Sequence, residues 1–230
     1  MPAPSMKTKP PASARSHCAF TLTEVIVAVT IIVILASLVV APVNSAITRA
    51  KIAQSLGNLR TIGGGLASYA SEHGGMLPQA STADYKTPFW SDSIADYLPP
   101  ARTNGWISVK GKPYTQSPAL VCPLVKNGSH AVQGDYGCNF DVIKLGASVP
   151  MAAIQKPSSL ILVATAEFQG GASWYILTSD YVASGMSATR PRPSDRGVGQ
   201  VLSLFADGHT EGVPLQQLND NRRNYFLLNP

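Results

Sequence analysis

Ala19-Phe20-Thr21-Leu22-Thr23-Glu24 opens directly onto an uncharged, apolar run from Val25 to Val43. One acid therefore stands at the mouth of a hydrophobic segment about 19 residues long, enough for a helix to cross a hydrocarbon core of ~30 Å. A carboxylate in such a place costs roughly 3 kcal/mol even on lenient insertion scales. A charge retained there points to pairing with a specific positive partner.

Working outward, residues 1–19 read as a leader. They carry Lys7, Lys9 and Arg15, no acid, and a Pro-, Ser- and Ala-rich composition without helical periodicity. Basic residues before the apolar run place the N-terminus in the cytoplasm and everything beyond Asn44 across the inner membrane, in a single pass. A secretory signal would be cut after its apolar run. Ala41-Pro42-Val43-Asn44-Ser45-Ala46 is a weak candidate because of Pro42, and the better site precedes the run, at Ala19/Phe20. Cys18 precedes the apolar segment, whereas a lipoprotein cysteine would follow it, so it reads as an incidental leader residue.

A small residue followed by Phe-Thr-Leu-x-Glu and an apolar helix resembles the type IV prepilin family. The resemblance implies cleavage between Ala19 and Phe20 by a prepilin peptidase, N-methylation of Phe20, and Glu24 as the fifth residue of the mature chain. Ala19 departs from the Gly common before the cut. Cleavage would create an ammonium on Phe20, and Glu24 of a neighbouring subunit could neutralise it on docking, satisfying two charges that are expensive apart. The alternative is an interfacial Glu24 that reaches to the headgroups.

The formal net charge is +5, but three of the basic residues belong to the leader. Without them, 15 basic residues face 13 acidic ones, which gives no electrostatic basis for binding nucleic acid. Charged residues make up only 13%, with 19 Gly and 18 Pro, so the exported part should be turn-rich and lightly charged. Cys122 and Cys138 remain after processing. In an oxidising compartment they form either a disulfide, worth ~3 kcal/mol in the chain-entropy model, or two free buried thiols. No His or Asp at ligand spacing accompanies them to make a zinc site.

Beyond the membrane, Ile47, Ala50, Ala53, Leu56, Leu59, Ile62, Leu66 and Tyr69 recur every three or four positions, so the helix continues as an amphipathic one. Arg49, Lys51, Gln54, Asn58 and Arg60 are expected to face away from its apolar stripe. Gly63-Gly64-Gly65 points to a close approach of helix to sheet, and Gly74-Gly75 ends the helix before Pro78. A short helix is expected from Phe89 to Leu98. Strands follow at 106–109, 119–122, 160–164, 174–177 and 201–205, with Asp207-Gly208 as the tight turn of a C-terminal hairpin. The fold class is α+β: a long N-terminal helix, membrane-spanning then amphipathic, packed on a C-terminal antiparallel sheet. Its parts are a leader (1–19), a transmembrane half (20–43), an amphipathic half (44–73) and an exported globular domain (74–230).

Further stretches resemble a bacterial subfamily of pilin-like proteins abundant in Planctomycetes and Verrucomicrobia. They are Asn58-Leu59-Arg60-Thr61-Ile62-Gly63, Cys122-Pro123, Asp135-Tyr136-Gly137-Cys138-Asn139, Lys156-Pro157-Ser158-Ser159-Leu160-Ile161-Leu162, and Leu204-Phe205-Ala206-Asp207-Gly208-His209. Cys138 stands where that subfamily usually has Tyr, which favours a Cys122 partner. Gly197 stands where it often has His.

No nucleophile elbow, His-Glu-x-x-His pair or phosphate loop occurs. His73, His130 and His209 share no spacing, and a tight turn should separate Asp207 from His209, so an enzyme is not expected. Some major pseudopilins hold calcium, but neither Asp92 and Asp96 nor Asp135 and Asp141 form a recognisable calcium loop, so no cofactor is expected. The sequence reads as a structural subunit of a type II secretion pseudopilus or type IV pilus-like filament. Its partners would be copies of itself, other pilin-like subunits, prepilin peptidase and the inner membrane. The alternative is a non-polymerising, membrane-anchored module for adhesion or DNA uptake.

Overall fold

The computed structural model describes residues 21–109, 112–126, 128–181 and 190–228. The leader, Ala19, Phe20 and most of the Ser184–Ser194 connection lie outside them. The chain divides into two compact units, residues 1–45 and 46–230.

Helix α1 runs from Leu22 to Glu72. Its end is set by chemistry visible in the sequence: Gly74 takes φ +63° and Gly75 φ +80°, and the Gly75 N–H reaches back to Ala70 O at 2.7 Å. That bond is the wide closure of a left-handed helix cap, which glycine adopts without a Cβ penalty. Within the second unit, the α1 face bearing Leu59, Ile62 and Leu66 is fully buried. Asn58 joins this face, contrary to expectation. Its side-chain amide donates to Val121 O at 2.9 Å, because the wall it meets presents a free carbonyl.

The three glycines separate into different roles. A Cβ on Gly63 would lie 2.9 Å from Leu204 Cδ1, one on Gly65 3.1 Å from Leu98 Cδ2, and one on Gly64 would meet nothing. Gly63 and Gly65 therefore let strand and turn approach the helix, whereas Gly64 only weakens it. Gly64→Ala is expected to stabilise by about 0.5–1 kcal/mol. Gly63→Val should destabilise by about 1–3 kcal/mol through overpacking. Paired urea titrations of the two variants check the opposite signs.

The expected helix from Phe89 to Leu98 is broken into α2, Trp90–Ser93, and a 3-10 turn, Ala95–Tyr97. Trp90, Ile94 and Leu98 are buried as the pattern required. Strands β1 (Arg102–Val109) and β2 (Lys112–Gln116) pair with each other as a separate two-stranded sheet. The strand expected at 119–122 is instead a 3-10 turn, Pro118–Leu120. Pro118 cannot donate to a ladder and favours the first position of a turn.

The main sheet comprises β3 (Tyr136–Asn139), β4 (Ile161–Phe168), β5 (Ala172–Ser173), β6 (Ile176–Leu177), β7 (Arg192–Pro193), β8 (Gln200–Phe205) and β9 (Thr210–Pro214). Its path is β6-β3-β4-β8-β9, with β5 and β7 added to β4. All pairs are antiparallel except β3 with β6. Of the strand expected at 174–177 only Ile176–Leu177 is found, as β6; Trp174 and Tyr175 lie in the connection from β5. The C-terminal hairpin is present, with Val201 opposite Val213 and Leu204 opposite Thr210. Its connection is wider than a two-residue turn: Phe205 N–H bonds His209 O at 3.0 Å, and Gly208 takes φ +91°. This is the three-residue loop with a left-handed glycine.

Alternation along β8 sends Leu202 and Leu204 into the cluster shared with Leu59, Ile62 and Leu66. Val201 and Phe205 enter a second cluster with Leu218 and Phe226. Those last two side chains come from short helices α3 (Leu215–Asp220) and α4 (Arg222–Phe226). The sheet is thus covered on both faces, one layer more than the expected helix on a sheet. A one-residue register shift between Ile161 and Val163 in β4 lets the neighbours Leu162 and Val163 enter the same cluster.

Candidate functional site

The N-terminus of α1 is closed by reciprocal bonds between Thr21 and Glu24. The Thr21 N–H and hydroxyl donate to Glu24 Oε2 at 2.8 and 2.9 Å, and the Glu24 N–H donates to Thr21 Oγ1 at 3.3 Å. This is the capping box, in which a Thr and the Glu three residues later satisfy each other's orphan amides. The Thr-x-x-Glu spacing signals it in sequence. Glu24 therefore has a local structural role besides any pairing with a partner.

From Leu22 to Ser37 the side chains of α1 lie open. Leu22 is 79% exposed, Ile32 63% and Leu35 58%. The hydroxyls along this face turn inward on their own helix, Thr30 donating to Ile26 O at 2.8 Å and Ser37 to Ile34 O at 2.7 Å. Bonded in this way, the two hydroxyls have their donors satisfied by their own helix. Among the described residues, no helix is long and apolar enough to cross a membrane. The span expected at 20–43 is not shown: a helix runs there from Leu22, and Phe20 and the side chains of 38–42 lie outside the described residues.

In the second unit the Asp135–Asn139 stretch forms a buried hub. Asp135 Oδ2 accepts the Cys122 N–H at 2.8 Å and lies 2.7 Å from His130 Nδ1. The Tyr136 hydroxyl sits 2.9 Å from Ser55 Oγ on α1. Asn139 donates to Ile161 O and Phe226 O at 2.8 and 2.9 Å, tying β4 to the C-terminal helix. The disulfide reading is corrected here: Cys122 and Cys138 are both free and buried. Cys138 lies in β3 between Val163 and Ile176, while Cys122 Sγ faces Ser55 Oγ at 3.7 Å. Burial pushes both thiols up, Cys138 the further, so each behaves as a small apolar side chain.

Of the acids weighed for calcium, Asp92, Asp135 and Asp141 are committed to separate local bonds. Asp92 accepts the Phe89 N–H at 2.9 Å, and Asp141 accepts the Ser179 N–H at 3.0 Å. No group of three or more His, Cys, Asp or Glu able to hold a metal is found among the described residues. The turn does bring Asp207 and His209 together, Oδ1 to Nδ1 at 2.5 Å, contrary to expectation. The His209 ring lies flat on Phe205 at 4.2 Å between centroids, so the pair braces the hairpin loop. Partial burial pushes Asp207 up, but the bonds from His209 outweigh it and hold the carboxyl below its ordinary range.

A cavity of about 310 Å³ is lined by Lys126, Glu167, Asp195 and Arg196. Two of its charged groups, Arg196 and Glu167, already hold the fold. Arg196 donates to Gly171 O, Ser173 Oγ and Ala166 O, and Glu167 accepts from Arg192 and Ser194.

Comparison with the curated proteins and with the solved structures yields no match. Residues 14–40 match the family model of the prokaryotic N-terminal methylation motif. That stretch contains Ala19, Phe20, the Thr21–Glu24 box and most of the apolar run. The chain thus carries, over residues 14–40, a prokaryotic N-terminal methylation motif consistent with a prepilin-type pilin or pseudopilin.

Proposed function

We propose that this chain is a non-catalytic structural subunit of a type II secretion pseudopilus or type IV pilus-like filament. The methylation motif at the head of an exposed apolar helix carries the reading. In this scheme residues 25–43 hold the precursor in the inner membrane, with the leader on the cytoplasmic side and the sheet domain across it. Prepilin peptidase cuts between Ala19 and Phe20, and the new Phe20 amine is methylated. The apolar helices of successive subunits then bundle. Lateral packing supplies adhesion, and Glu24 of one subunit neutralises the Phe20 ammonium of another, which sets register because each charge is costly unpaired in apolar surroundings.

The test is the intact mass and N-terminal sequence of the protein extracted from membranes of a strain with a prepilin peptidase. Methyl-Phe20 is expected as the first residue. Recovery of Met1 or Ser45 there would overturn the processing scheme.

A further inference from the structure

Between Glu24 and Glu72 the chain has no acid, yet it carries Arg49, Lys51 and Arg60. All three are exposed on α1, and among the described residues none of them forms an ion pair. Arg49 and Arg60 are about three helical turns apart, so they lie on one stripe of the helix.

A complementary acidic patch closes the far end of the same helix. Glu72 accepts the Tyr97 hydroxyl at 2.6 Å, and Asp96 stands exposed on the 3-10 turn that ends in Tyr97. The Tyr97 phenol is pushed up to about 12, first by its bond to Glu72, then by partial desolvation and by the charges of Glu72 and Asp96. Those two carboxylates therefore act on one spot. Among the described residues, no cation forms an ion pair with Glu72 or Asp96.

Within one chain the two patches are not joined by any ion pair among the described residues. Arg60 and Glu72 are twelve residues apart on one continuous helix, about 18 Å along its axis, far beyond ion-pair distance. A second copy displaced along that axis can bring them together. We infer that the Arg49–Arg60 stripe of one copy docks on the Glu72–Asp96 patch of the next. The contact is heterologous, joining two different surfaces of the same chain. Where its repeat does not close into a ring, it propagates as an open helical assembly. Opposite charges at the two ends also penalise a head-to-head arrangement, so the contact sets polarity as well as adhesion. This inference rests on the filament reading above and adds the surface on which the exported domains meet.

The test compares the full-length chain with Arg60→Glu, Asp96→Lys and the two combined, each produced in membranes with the peptidase. The fraction recovered as multimers is measured at low and physiological salt. Both residues are exposed, so neither reversal touches the core, and thermal unfolding of each variant checks this. Wild type should form multimers, each single reversal should lower them by at least about threefold, and the combined variant should recover at least half of the loss. Salt should weaken the wild-type contact. Wild-type multimers that neither single reversal alters, or a combined variant no better than the singles, would overturn this contact while leaving the filament reading in place. A wild-type chain that stays monomeric after cleavage would remove the filament reading and this contact with it.

Discussion

A Glu24→Gln chain is expected to insert and fold like wild type yet lose assembled protein by at least about tenfold. The two roles of Glu24 make the substitution informative. Its carboxylate accepts the Thr21 N–H and hydroxyl in the capping box, and an uncharged Gln fills the same position in capping boxes. The helix N-terminus therefore stays closed in this variant while the charge disappears. On the proposed scheme a Phe20 ammonium is then left without its partner in apolar surroundings, and breaking one side of such a pair costs about 3–5 kcal/mol. Thr21→Ala is the converse: it removes the cap, at about 1 kcal/mol, and keeps the charge. Quantifying sheared or crosslinked multimers for both variants separates the roles. If Thr21→Ala assembles poorly and Glu24→Gln assembles normally, Glu24 serves its own helix and not its neighbour.

Gly137→Ala is expected to destabilise the second unit by about 3 kcal/mol, at the upper end of overpacking costs. A Cβ there would lie 2.6 Å from Ala166 Cβ, 2.9 Å from the Ile176 carbonyl carbon and 3.0 Å from its oxygen. Two of those neighbours are backbone atoms of β6, paired in parallel with β3, and the third is a side chain with no torsion to turn. Gly63 differs, because its obstacle is the flexible end of Leu204. For a unit of this size the melting temperature should fall by roughly 6–12 °C. A melting temperature within about 2 °C of wild type would show that β6 gives way freely at this position.

Local chemistry made much of this chain legible without coordinates. The apolar run, the 3.6-residue recurrence from Leu56 to Leu66, the Gly74-Gly75 stop and the Asp207-Gly208 hairpin each depend on contacts within a few residues. Such contacts are set by backbone preference and side-chain reach. The methylation motif belongs to the same class, since a peptidase reads a contiguous stretch.

Contacts distant in sequence were decided by packing. The second helical layer had a faint signal: Leu160-Ile161-Leu162-Val163-Ala164 and Val201-Leu202-Ser203-Leu204-Phe205 are near-continuous apolar runs, as expected of strands covered on both faces. Only the docking of Leu218 and Phe226 shows what covers the second face. Spacing alone left Cys122 and Cys138 open to a bridge, because a disulfide depends on where two Cβ atoms come to rest. In the fold Cys138 is held in β3 and Cys122 turns toward Ser55. Asn58 looked like a solvent residue until Val121 O came to lie beside it. A helix's charge pattern can be read along the chain, but which charges find partners depends on what the fold brings within a few ångströms of them. For Arg60 and Glu72, the rigid length of α1 keeps the two charges about 18 Å apart within one copy.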